Sequence, residues 1–272
     1  MTIIINDITS PQNPLVKLAR ALDRKKERKE TGLFRAEGAR LVKEGVDLGW
    51  RLHALLFSGA VESRPHVKDL LASCQDPEIK IGRVNDRILE SITHRDNAQS
   101  VVGIFYQQFS TLDAIIGEDL IVALERPKDP GNLGTIIRTL DSVGGKSIIL
   151  LEDACDPFSV EAVRSTMGSL FSVKIVKSPI KEFLAWEKQN DFTLVGTSLK
   201  AHDLHTKTNM GARTILLMGN EQSGIDDDLA DSCDELIKLP MKGRADSLNL
   251  AIATGISLYE IWRQRDFNGK NS

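Results

Sequence analysis

Six short, largely apolar runs, most of them separated by segments of helical periodicity, fill the C-terminal half of the chain. They restrict the fold more than any other feature. The runs are Leu120 to Leu124, Ser147 to Leu151, Val173 to Val176, Phe192 to Gly196, Thr214 to Met218 and Glu235 to Leu239. Runs of this length and composition suit strands buried on both faces. A helix between successive strands returns the chain to the same end of the sheet, so neighbouring strands are parallel. A long helix from Ser247 to about Arg265 closes the series. The expected fold of this half is an α/β domain, with a mostly parallel sheet covered on both sides.

The preceding part reads as a smaller α/β unit. A basic helix is predicted from Asn13 to Gly32, with Pro14 near its start and Gly32 at its stop. Helices follow over Glu37 to Gly49, Val67 to Ser73 and Asn85 to His94, the last capped by Asn85. Strands are predicted over Leu52 to Phe57, Ile79 to Val84 and Val101 to Tyr106. The polar stretch from Gln107 to Glu118 carries no strong pattern. The domains expected are therefore 1–107 and 119–272, joined by a linker over 108–118. The tail from Asn268 to Ser272 is expected to fray.

The formal net charge is -3, which by itself argues against a polyanionic partner. Distribution matters more than the total. Between Lys17 and Lys29 stand Lys17, Arg20, Arg24, Lys25, Lys26, Arg28 and Lys29 against only Asp23 and Glu27. Such an imbalance favours a polyanion, although a solvated helix face is the common alternative. Cys74, Cys155 and Cys233 lie far apart and form no CxxC pair, so no metal site or disulfide framework is expected. No signal-peptide pattern opens the sequence and no apolar run approaches the ~20 residues of a membrane span. A cytoplasmic protein without a membrane partner is the expectation.

Three polar, glycine-containing segments sit where predicted strands end. The first is Gly131-Asn132-Leu133-Gly134-Thr135-Ile136-Ile137-Arg138. Asn132 there can cap a helix or present its amide to a ligand. Arg138, on a mostly apolar helix, either pairs with a carboxylate, snorkels or grips a phosphate. The second is Gly219-Asn220-Glu221-Gln222-Ser223-Gly224. Its glycines permit a tight turn close to a ligand, and Glu221 is either solvated or aimed at that ligand. The third runs from Leu239-Pro240-Met241 through Lys242-Gly243-Arg244-Ala245-Asp246 to Ser247-Leu248-Asn249. Ser247 is a natural N-cap, and Asn249 suits the first turn only if its amide is used. His202 and His205 have no third ligand nearby and read as loop histidines. The chain lacks GxGxxG, GxxxxGK[ST] and GxSxG, which argues against a dinucleotide-binding Rossmann domain, a P-loop NTPase and an α/β-hydrolase.

In order and placement, the three segments resemble the signature motifs of the SpoU/TrmH family of RNA ribose 2′-O-methyltransferases. Pro157-Phe158-Ser159 through Arg164-Ser165 to Gly168 is similar to that family's helix between the first two motifs. The resemblance is close over about 119–265 and looser before it. There, Ser10-Pro11-Gln12-Asn13-Pro14-Leu15-Val16-Lys17 and Phe34-Arg35-Ala36-Glu37-Gly38 resemble members that modify large-subunit ribosomal RNA.

The resemblance implies a SPOUT domain with a deep trefoil knot, preceded by an L30e-like substrate-binding domain, in a homodimer. It implies S-adenosylmethionine as cofactor, held near Thr197, Leu199, Gly219, Asn220, Gly224, Leu239, Met241 and Leu248. Methyl transfer to a ribose 2′-hydroxyl would rest on Arg138, with Asn132, Glu221, Ser247 and Asn249 orienting it and the sugar. RNA capture would use Lys17, Arg24, Lys25, Arg28 and Arg35, with Arg126, Lys128 and Arg164 beside the site. Ribosomal RNA of 23S type is the favoured substrate. A transfer RNA substrate, a non-catalytic ribosome-assembly protein and a small-molecule α/β enzyme are the alternatives.

Overall fold

Strands and helices alternate through most of the described residues. In the computed structural model, which describes residues 4–93 and 100–268, the first part runs β1 (Ile5–Ile8), α1 (Pro14–Ala21), α2 (Lys25–Thr31), β2 (Leu33–Glu37), α3 (Ala39–Asp47), β3 (Leu52–Ser58), α4 (Pro65–Ser73), β4 (Lys80–Val84), α5 (Asp86–Thr93) and β5 (Val101–Tyr106). The rest runs β6 (Leu120–Glu125), α6 (Pro130–Ser142), β7 (Ser147–Leu151), α7 (Val160–Ser165), β8 (Lys174–Ser178), α8 (Ile180–Glu187), β9 (Thr193–Thr197), β10 (Asp203–Leu204), β11 (Thr214–Met218), α9 (Asp227–Ala230), β12 (Glu235–Lys238) and α10 (Leu250–Gln264). The alternation lapses where α1 and α2 are consecutive and where β9, β10 and β11 are unbroken by a helix. The end of the helix expected to reach His94, and the frayed tail expected beyond Asn268, lie outside the described residues. Among the described residues no helix is long and apolar enough to cross a membrane.

Contacts separate two units, Met1–Gln107 with Asp156–Phe171, and Gln108–Cys155 with Ser172–Ser272. The first holds a mixed sheet of order β1-β4-β3-β5-β2, in which β5 runs antiparallel to both neighbours. Its sequence-predicted basic helix is in fact two helices. The break follows α1, where the Arg28 guanidinium folds back to donate to the carbonyls of Leu22 and Asp23 at 2.7 and 2.9 Å. Gly32 does end α2, in the left-handed conformation that spares glycine a Cβ clash.

The segment Asp156–Phe171, grouped by sequence with the second domain, packs in the first unit. Phe158 and Phe171 join Phe34, Trp50 and Phe105 in one aromatic cluster. Asp156 accepts from Arg28 Nε at 2.7 Å, and Arg164 pairs with Glu37 at 2.9 Å.

The second unit has a fully parallel sheet of order β10-β12-β9-β11-β6-β7-β8. β6, β7 and β11 are buried at every residue, as strands covered on both faces must be. Phe183 and Trp186 of α8 and Leu229 of α9 pack with one set of alternate strand residues, including Ile121, Ile149 and Leu217. α10 packs on α6 and against β11.

Candidate active site

In a parallel sheet all carboxyl ends lie along one edge, and ligands bind there. β12, β9, β11 and β6 are consecutive neighbours. At ~4.8 Å between strands, the loops after these four lie within about 15 Å of one another. Those loops carry all three of the segments singled out from sequence.

The loop after β6 leads into α6. Its N-cap is Asp129, whose carboxylate accepts from Asn132 N–H at 2.7 Å, with Pro130 in the first helical position. Of the two uses open to Asn132 from the sequence, capping is taken by Asp129. Asp-Pro ahead of an apolar helix was the available signal, since Asp accepts from the free amides and Pro needs no acceptor. Relieved of capping, the Asn132 amide oxygen accepts from Asn249 Nδ2 at 2.9 Å. Asn249 is in turn the N-cap of α10, receiving the amides of Ala251 and Ile252 at 2.9 and 3.2 Å. Ser247, the expected cap, lies exposed two residues earlier.

The Glu221 carboxylate accepts from the backbone amides of Lys128 and Asp129 at 3.2–3.3 Å. Asn220 donates to the Arg126 carbonyl at 2.8 Å and pairs through its main chain with Gly224. The turn needs glycine at its first position, because a Cβ on Gly219 would stand 2.1 Å from the carbonyl carbon of Gly224. Arg126 has a φ of 46°, unusual for a side chain of its size. It pairs with Glu125, wholly buried behind it, and with Asp226. The Arg126 guanidinium holds the Asp226 carboxyl below its ordinary range, while burial pushes Glu125 up. This clamp was not anticipated from sequence. It joins the loops after β6 and β11.

Asn132, Glu221 and Asn249 are thus linked through the start of α6. Arg138 lies six residues beyond Asn132, ~9 Å along the helix, and is exposed with no hydrogen bond or ion pair among the described residues. Of the residues expected to hold a cofactor, Thr197 ends β9 and its hydroxyl donates to Met218 Sδ at 3.5 Å. Leu199, Met241 and Leu248 expose apolar side chains on loops at this edge. Leu239 directly follows β12.

The expected RNA contacts divide sharply. Lys17, Arg24 and Lys25 are exposed. Arg28 and Arg35 are only 3% and 1% exposed and cannot reach a phosphate in this fold. Arg35 donates to the Ala19 carbonyl and to Asp23, and stands 3.0 Å from Glu37, close enough to pair though off the line of a hydrogen bond. Arg126 and Arg164 are held by carboxylates, and Lys128 Nζ donates to the Asp153 carbonyl at 3.3 Å.

Residues 119–259 match the SpoU rRNA Methylase family, and residues 13–103 match an MRM3-like substrate binding domain. The chain is 32% identical to the 23S rRNA (uridine(2479)-2′-O)-methyltransferase of Streptomyces viridochromogenes, over 90% of this chain and 87% of that one. It is 29% identical to the 23S rRNA (guanosine(2553)-2′-O)-methyltransferase of Bacillus subtilis, over 94% and 99% respectively. The crystal structure of an AdoMet-bound rRNA methyltransferase from Sinorhizobium meliloti is similar at a TM-score of 0.89 and 43% identity, covering 95% of this chain and 98% of that one. With a fold and strand-end loops of this kind, and matches over most of its length, the chain belongs to the SpoU rRNA methylase family.

Proposed function

We propose that this protein transfers a methyl group from S-adenosylmethionine to a ribose 2′-hydroxyl of 23S-type ribosomal RNA. The observation that carries the reading is the joining of Asn132, Glu221 and Asn249 at the start of the helix that also carries Arg138, which is exposed and unpaired among the described residues. A non-catalytic scaffold has no need of that set. The names of the relatives, 23S rRNA 2′-O-methyltransferases, favour ribosomal over transfer RNA.

The residues at the sheet edge fit the cofactor. Leu199, Met241 and Leu248 offer apolar cover for an adenine, and the turn at Gly219 brings backbone close where no side chain has room. Thr197, Asn220, Gly224 and Leu239 complete the lining. S-adenosylmethionine supplies an electrophilic methyl group on a sulfonium. The accepting hydroxyl is almost fully protonated at neutral pH, so the protein must stabilise a developing alkoxide and hold it in line. Arg138 is the cation for that task, since a guanidinium with pKa above ~12 is a poor base but a permanent charge. It stabilises O2′ as the proton passes to water. Asn132, Asn249, Ser247 and Glu221 orient the sugar and the Arg.

The working form is a homodimer with a trefoil-knotted cofactor site. In support, α10 carries Ile252, Ile256 and Tyr259 exposed at helical spacing, an apolar stripe on the helix that packs beside α6. RNA capture in the first unit falls to Lys17, Arg24 and Lys25. The enzyme acts in the cytoplasm, where its ribosomal substrate lies.

The test is methyl transfer from labelled S-adenosylmethionine to 23S rRNA from cells lacking this protein, with the product mapped. One new 2′-O-methyl nucleotide is the expected result, and cofactor binding without transfer to any RNA would overturn the reading. Gly219→Ala is expected to weaken S-adenosylmethionine binding at least ten-fold by calorimetry, because the added methyl must force the 219–225 turn open.

A further inference from the structure

The cations expected to grip RNA beside the site are largely occupied within the chain. Arg126 is clamped by Glu125 and Asp226. Lys128 donates to the Asp153 carbonyl, and Arg164 pairs with Glu37. Two cations of the third segment are different. Lys242 and Arg244 have no hydrogen bond or ion pair among the described residues, and both are exposed.

Their position gives that freedom a use. The loop from β12 to α10 is exposed from Pro240 to Asn249. Nothing lies within 4 Å of where a Cβ on Gly243 would stand, so the loop is clear of the body between the two cations. Its far end is fixed, because Asn249 caps α10 and donates to Asn132. Arg244 is five residues from Asn249, a backbone distance of at most ~17 Å. A cation on such a tether reaches the nucleotides next to a ribose held at Asn132 and Asn249.

Charge is also segregated along the edge. The loop after β11 presents Asp226, paired with Arg126, then Asp227, 3.7 Å from Lys200, and Asp228, whereas the loop after β12 presents Lys242 and Arg244 with only Asp246 against them. β9 lies between those strands, which puts the loops about 10 Å apart, near a Debye length at physiological salt. The cations of the β11 side are matched by carboxylates, so a polyanion is drawn to the β12 side.

We propose that Lys242 and Arg244 form a phosphate-gripping arm for the RNA backbone flanking the methylated ribose. This rests on the methyltransferase reading and adds to it a second electrostatic contact beyond α1 and α2. The arm acts on charge alone. Exchanging the two residues should therefore be tolerated, whereas neutralising them should not.

The test compares the whole protein with Lys242→Gln/Arg244→Gln, with the exchanged pair Lys242→Arg/Arg244→Lys, and with Lys181→Gln/Lys188→Gln, which removes two charges on and just after α8. Binding of transcribed 23S rRNA is measured across salt, and S-adenosylmethionine affinity by calorimetry. The neutral loop variant is expected to weaken RNA binding about ten-fold at physiological salt and to lower the salt slope by about 1.4–1.8. Its cofactor affinity stays unchanged, the exchanged pair behaves as wild type and the α8 pair loses less. An unchanged slope, or a loss matched by the α8 pair, overturns the proposal. Loss of cofactor binding overturns it too, and would assign the loop to the cofactor. A wild-type protein that binds neither RNA nor S-adenosylmethionine defeats the methyltransferase reading itself, and that result is distinct from all of these.

Discussion

Arg138→Ala is expected to lower the single-turnover rate of methyl transfer by about 10²–10³, the usual effect of removing one donor aimed at a developing oxyanion. S-adenosylmethionine affinity and thermal midpoint should stay close to wild type. The separation follows from the structure. Arg138 is exposed and makes no bond within the chain among the described residues, so the fold does not depend on it. The core face of α6 is supplied by Leu133, Ile136, Ile137 and Leu140. Arg138→Lys should lose most of the rate as well, because an ammonium is a point charge and cannot hold alkoxide and phosphate in one plane. A Lys variant at wild-type rate would show that charge suffices. An Ala variant at wild-type rate would remove Arg138 from the reaction altogether.

Much of the second unit was legible because its strands are buried on both faces. β6, β7 and β11 then read as apolar runs whatever their neighbours. The elements missed are those whose character depends on partners far away in sequence. β2 contains Arg35 and Glu37, and a strand with two charges looks like a surface segment until Asp23 and Arg164 are known to meet them. β1, with Asn6 and Asp7 between its apolar ends, is an edge strand held by pairing to β4. The two-residue β10 has no pattern to read.

The basic helix illustrates the same limit at the level of function. Its net charge was visible, but Arg28 of that segment, like Arg35 of β2, is consumed by carboxylates and carbonyl groups: Asp156, Leu22 and Asp23 for Arg28, Asp23, Glu37 and Ala19 for Arg35. The strand-end segments were visible as chemistry, whereas their division of labour was not. Which of Asp129 and Asn132, or of Ser247 and Asn249, caps a helix depends on a shift of two or three residues. Propensity alone does not resolve such a shift.

Phe158→Ala should destabilise the first unit although Phe158 lies within the stretch that matches the methylase family. Its ring is wholly buried, 4.8 Å from the centre of Phe34 and 6.3 Å from that of Trp50. Truncating such a ring costs about 3–5 kcal/mol, part transfer and part cavity. Trp50 donates to the Phe171 carbonyl at 2.9 Å, so the segment holds the cluster at both of its ends. Hydrogen exchange read strand by strand is the measurement. Amides of β2 and β5 should exchange at least ~10² faster in the variant, since each 1.4 kcal/mol of local opening energy is a factor of ten. Amides of β6 and β11 should change much less. Equal acceleration in both groups would mean that the whole chain opens as one cooperative unit. Acceleration confined to β6 and β11 would return Asp156–Phe171 to the second unit. For the same reason a chain ending at Gln107 should fail to fold, because it lacks Phe158, Phe171 and the partners that Asp156 and Arg164 provide for Arg28 and Glu37.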